Sequence, residues 1–134
     1  MPYIDQQQLA TRFGETELKA LAPDGQGGID ADTVARACAD AAGEIDARLV
    51  AAGYTTPLDP VPSIVTAHAA DIARYRLYDE HATEVVVARY QHAIRFLRDV
   101  ARGEVMLGSK NEPTTPEATA QFDSKPPIMP GGGF

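Results

Sequence analysis

The segment Pro23-Asp24-Gly25-Gln26-Gly27-Gly28-Ile29-Asp30 carries the residue types of a calcium loop, hard carboxylate oxygens around a glycine turn. Aligning Gly27 and Ile29 with the sixth and eighth positions of an EF-hand loop makes Asp24 the third and Asp30 the ninth. Ala22 and Thr33 then occupy the first and twelfth, so the bidentate carboxylate that closes the shell is missing. The same residues read as a turn that caps the next helix. The three histidines, His68, His81 and His92, form no i,i+4 pair, so a zinc site would require helices to converge. His68 reads as a hydrogen-bonded packing residue beside an apolar stripe, and His81 falls in a turn between helices. Cys38 lies on the apolar side of a predicted helix with no cation beside it and reads as a small buried hydrophobe. Asp79-Glu80 reads as a short acidic turn. Neither a nucleophile elbow nor a phosphate or dinucleotide fingerprint is present. The sequence therefore predicts a protein that is not an enzyme and takes no cofactor or metal.

Most distinctive are the arginines. Arg95, Arg98 and Arg102 recur at i, i+3, i+7 and line one side of a predicted helix, with Arg89 on another flank. Asp71-Ile72-Ala73-Arg74-Tyr75-Arg76-Leu77-Tyr78 places Asp71 three residues from Arg74, and Tyr75 three from Tyr78. This spacing predicts an Asp71–Arg74 ion pair at the helix rim and aromatic packing on the next helix. The alternative is that Arg74 or Arg76 reaches across an interface.

These side chains sit on a chain of 134 residues with net charge −7. Residues 1–59 carry ten acids and four bases, whereas residues 60–107 carry six of each, every base there an arginine. The acidic balance argues against general binding to nucleic-acid phosphates. No apolar run approaches the roughly 18 residues that cross a bilayer, and MPYIDQQQ does not read as a secretory signal. A single cysteine fits synthesis in a reducing cytosol.

The positioning elements read as helices. Asp5 caps a short one running to Phe13, which Gly14 can end, and a second covers Glu15 to Leu21. Asp30 or Asp32 starts a long helix stopped by Gly53, its apolar stripe Val34, Cys38, Ala41, Ile45, Leu49 and Ala52. Its outer side holds Asp32, Arg36, Asp40, Glu44 and Arg48, with Asp32/Arg36 and Glu44/Arg48 as i,i+4 pairs. After an extended stretch from Tyr54 to Pro62, a helix spans about Ser63 to Asp79. Ile64, His68, Ile72, Tyr75 and Tyr78 or Asp79 trace one side, and Val65, Ala69 and Arg76 the adjacent one. The last helix runs from about Thr83 to Arg102 with the stripe Val86, Tyr90, Ala93, Leu97 and Val100. Glu104 to Leu107 reads as a short strand or a plain extension. The sum is an all-α fold, a small bundle of about three long and two short helices over residues 1–107. Residues 108–134, with five prolines and four glycines, read as an extended tail ordered by partners through Phe122, Ile128, Met129 and Phe134.

A chain with an acidic part and an arginine-bearing side is suited to docking on copies of itself. Arg74, Arg76, Arg95, Arg98 and Arg102 are the cationic candidates for such an interface, and Asp40 and Glu44 the acidic ones. Two other classes stay open: a small adaptor or regulatory protein that binds a host protein through a helical surface, and a helical DNA-binding protein, which −7 disfavours.

One combination of fragments is specific. Arg12-Phe13-Gly14-Glu15, then Gly28-Ile29-Asp30 through Ala41, Glu44-Ile45-Asp46, Tyr54 with Pro57-Leu58 and Val61-Pro62, residues 71–78, and Arg89-Tyr90 through Phe96-Leu97 to Gly103 resemble the Mu-like phage gene product thirty-six family. The resemblance covers roughly residues 3–108. It implies a non-enzymatic virion component, a head–tail connector or head-completion protein made in the host cytoplasm and located in the neck. By analogy with tailed-phage adaptors it implies a ring of roughly twelve copies beneath the portal protein. Such a ring would extend the channel through which genomic DNA passes without sequence-specific binding, and would offer a docking surface to a downstream neck or tail protein. An acidic channel wall would repel phosphates and ease passage.

Overall fold

Asp5 starts the first helix by a reciprocal cap. Its carboxylate accepts the Gln8 amide at 2.8 Å, and its own amide donates to Gln8 Oε1 at 3.0 Å. The resulting α1, Gln6–Phe13, stops at Gly14, whose φ of +95° only glycine adopts without strain. That one residue also opens α2, Glu15–Leu21. Asp30 caps α3, Ala31–Ala51, by accepting from the Asp32 amide at 3.1 Å and Thr33 Oγ1 at 2.9 Å. Pro62 precedes α4, Ser63–Tyr78, and a 3-10 turn at Asp79–His81 leads to α5, Glu84–Ala101, capped by Thr83. The computed structural model describes residues 3–107. Among them the fold is all-α, with one isolated bridge between Pro23 and Ile29 as its only β pairing.

The three long helices make the core. α4 packs against both α3 and α5, α3 also meets α5, and α1 rests on α3 and α4. On α3, Val34, Cys38, Ala41, Ile45 and Leu49 are buried, and on α5 Val86, Ala93, Leu97 and Val100 are, as their spacing predicts. Tyr90 of that stripe is half-buried. The Cys38 thiol is pushed up to about 11 by burial, which keeps it protonated at neutral pH.

Spacing traces two adjacent sides of α4, and the structure decides which is buried. Val65, Ala69, Ala70, Ile72 and Ala73 are buried, whereas Ile64 is 46% exposed. The inward row thus includes Ile72 but follows the flank assigned to Val65 and Ala69. The reason is structural: α4 lies between two helices and must bury two faces. Its alanines let those helices approach while giving the sequence little contrast between inside and outside.

The residues before α1 are part of the core. Tyr3 and Ile4 are as buried as any side chain in the bundle. The Tyr3 hydroxyl donates to the Asp46 carboxylate on α3 and accepts from the Leu58 amide at 3.0 Å. It pins the N-terminal segment and the 54–62 connection to one helix. At the far end of the described chain the Leu107 amide donates to Tyr54 Oη at 3.1 Å, so Glu104–Leu107 extends over the core and does not form a strand.

Burial and the Asp46 carboxylate push the Tyr3 phenol up from 10.0 to about 12. The neutral phenol is the form the fold favours, so its contribution is complete below the unfolded-state value and declines as pH rises through the folded one. Stability should therefore fall between pH 10 and pH 12. Tyr3→Phe should flatten that alkaline limb in denaturant titrations across this range. An identical limb in both proteins would refute the assignment.

The tail and its anchors Phe122, Ile128, Met129 and Phe134 lie outside the described residues.

Candidate functional site

Glu44 is the polar centre of the long-helix face. From α3 its Oε1 accepts Arg76 Nη2 of α4 at 3.1 Å, and its Oε2 accepts the Tyr90 hydroxyl of α5 at 2.9 Å. Tyr75 stacks on Tyr90 with ring centroids 4.0 Å apart and planes 11° from parallel. One carboxylate thus ties three helices. The bond to Glu44 raises the Arg76 pKa, while burial and then the same carboxylate raise that of Tyr90. Arg48, the expected i,i+4 partner, stands 3.9 Å from Glu44. Arg36 donates to Thr33 Oγ1 at 3.4 Å and makes no ion pair with Asp32.

Arg74 forms the second tie. Its Nε and Nη2 donate to the two oxygens of Glu17 at 2.7 and 3.0 Å, a bidentate pair from α4 to α2. The guanidinium lies over the Phe13 ring at 4.3 Å, and the Glu17 bonds hold its pKa above the ordinary value. The expected Asp71–Arg74 pair does not form. Asp71 faces Arg89 of α5 at 3.8 Å, and burial, outweighing that cation, raises its pKa. Helical spacing permits an Asp71–Arg74 contact, but Glu17 offers Arg74 both carboxylate oxygens in a bidentate pair. The aromatic part of the expectation holds, since Tyr75 packs on α5.

His68 is not hydrogen-bonded as expected. Its ring stacks on Phe96 at 4.4 Å with His92 at 5.9 Å, and its buried Nδ1 has no partner among the described residues. Burial, and then His92, lowers its pKa, so the neutral ring packs as an aromatic.

The glycine loop closes on itself. Asp24 Oδ1 accepts the Gln26 amide at 2.6 Å and the Gly28 amide at 2.9 Å, and these bonds lower the Asp24 pKa. Asp30 is engaged as the α3 cap. Both carboxylates serve the turn reading of this segment.

The remaining candidates are on the outside. Arg95, Arg98 and Arg102 are exposed and have no ion-pair partner among the described residues. Arg95 and Arg98 flank a shallow groove with Tyr90, Gln91 and Ile94. Asp40 is exposed in a second groove, between Arg36 on α3 and Arg76 and Asp79 at the end of α4. The structure therefore separates the candidates into two sets. Arg74, Arg76 and Glu44 hold the bundle together, while Arg95, Arg98, Arg102 and Asp40 face outward. Sequence reasoning missed Glu17 and Asp46, whose partners lie 57 and 43 residues away. The available signal was a polar tip on an otherwise apolar position, as at Tyr3 and Tyr90, which demands a buried acceptor.

A family model described as Bacteriophage Mu, Gp36 matches residues 3–125. The chain belongs to this phage protein family. Among its relatives is the Mu-like prophage FluMu protein gp36 of Haemophilus influenzae, 34% identical over 118 residues that cover 87% of this chain and 82% of that one. Gene product J of Escherichia phage Mu is 32% identical over 134 residues, covering 96% of this chain and 94% of that one. The Gp36 match takes in all five helices, so the Glu44 and Arg74 ties and the α5 arginines all lie within the family's domain.

Proposed function

We propose that this phage protein is a structural, non-enzymatic component of the particle that joins head to tail. In this reading about twelve copies form a ring beneath the portal protein, and the ring extends the DNA channel toward a neck or tail protein. Near full-length similarity to gene product J of phage Mu carries the phage assignment. A helical bundle with internal ion pairs and an outward arginine row is suited to assembly, because charged flanks set the register between subunits more than their affinity. The −7 charge suits a channel that DNA traverses without sticking. The protein itself would need no cofactor and no membrane.

The test is genetic and structural. A nonsense mutation in the gene of the phage or prophage that carries it should leave filled heads and finished tails unjoined under the electron microscope. Mass spectrometry of purified wild-type particles should find the chain in several copies. Normal joined particles from the mutant, or absence of the chain from particles, would refute the reading.

A further inference from the structure

The exposed side of α5 is electrically graded. At about 100° per residue, Glu84, Gln91, Arg95, Arg98 and Arg102 project within roughly 60° of one another, and all five are exposed. The N-terminal end of this stripe carries Glu84, and the preceding turn adds the exposed carboxylate of Glu80 four residues before it, while Asp79 lines the α3–α4 groove with Arg36 and Arg76. Its C-terminal half is basic. None of these acids or arginines has an ion-pair partner among the described residues. Glu84 and Arg95 are eleven residues apart, about 16 Å along the axis, which exceeds a Debye length of about 8 Å at physiological salt. The two ends therefore cannot neutralise one another within one chain. The helix dipole favours acids at the start and cations in the last turn, but its influence is confined to those turns. Arg95 lies nearly two turns before the end of α5, so the dipole does not account for it.

We propose that this stripe is a docking surface for a second copy of the chain, with Glu80 and Glu84 of one copy set on Arg95 and Arg98 of the next. This rests on the assembly reading above and specifies which surfaces meet. Charge complementarity selects the occupant, since the chain itself supplies two exposed carboxylates, Glu80 and Glu84, that have no ion-pair partner among the described residues. Ile94 and the Tyr90 ring provide an apolar floor beside Arg95 and Arg98. Duplex DNA fits less well: three arginines neutralise few phosphates, and the carboxylates at the other end of the stripe repel the strand.

The experiment uses the full chain and two variants, R95E/R98E and E80K/E84K, in sedimentation velocity over a concentration series, with circular dichroism as the check on folding. The wild type should associate. Each variant alone should associate about tenfold more weakly or worse, and the equimolar mixture should recover association because the reversed charges match again. Recovery in the mixture also excludes misfolding as the cause of the loss. Variants that associate like the wild type, a mixture that remains monomeric, or a wild type that is monomeric throughout would each overturn the proposal. So would tight 30-base-pair duplex binding by the wild type that R95E/R98E abolishes. Failure here with the chain still present in purified particles leaves the connector reading standing. Absence from particles with mixture recovery intact refutes that reading and leaves the docking surface.

Discussion

Ile72→Ala should destabilise the bundle by about 2–5 kcal/mol, and Ile64→Ala by a small fraction of that. The two residues are eight apart on one helix and share a side by spacing, so only their packing separates them. Ile72 has no solvent exposure and lies in the core between α3 and α5, whereas Ile64 keeps 46% of its surface in solvent at the start of α4. Truncating Ile72 removes three carbons from a fully buried position in a core that is rich in alanine. Little can move in to fill the space, and the cavity adds to the lost transfer energy. Urea titrations of the two variants, with similar m-values, are the measurement. Equal losses would mean that α4 is rotated from the orientation described, with the histidine side facing inward.

That comparison also shows where sequence patterning runs out. Contrast along the chain made α3 and α5 legible: Val34, Ile45 and Leu49, or Val86, Leu97 and Val100, alternate with charged residues at helical spacing. The caps at Asp5 and Asp30 were legible for a local reason, because each acts on an amide two or three residues away. α4 carries alanine on several faces, so spacing alone left its inward side undecided. The long-range polar ties were the least legible. Glu17 looks like any exposed acid of a short helix, and only the fold brings it to Arg74. Asp46 likewise gains its role when Tyr3, in a segment with no periodicity, reaches α3. Of the candidate surface, the arginine row was readable in full because an exposed helix face keeps its sequence spacing.

Arg74→Ala should cost about 1–3 kcal/mol, while Arg95→Ala should change stability by no more than about 0.5 kcal/mol. Both are arginines on long helices, and both are candidates for a subunit contact. Their settings differ. The Arg74 and Glu17 side chains are only 17% and 21% exposed, their contact is bidentate, and the guanidinium covers Phe13. Truncation removes two charge-assisted bonds and the cation–π contact, and leaves Glu17 partly desolvated. Because the pair is shielded, most of the loss should persist in 1 M salt, where an exposed pair would be screened (Debye length about 3 Å). Arg74→Lys should recover only part of it, since an ammonium cannot match both oxygens or lie flat on the ring. The structural consequence is local: α1 and α2 lose their ionic hold on α4, so amide exchange should rise in residues 6–21 before it rises in α3 or α5. Among the described residues Arg95 has no such partner to lose, so its truncation should be silent in the folding equilibrium and visible only in association. A large stability loss at Arg95, or none at Arg74, would reverse the assignment of these two arginines to assembly and to the bundle.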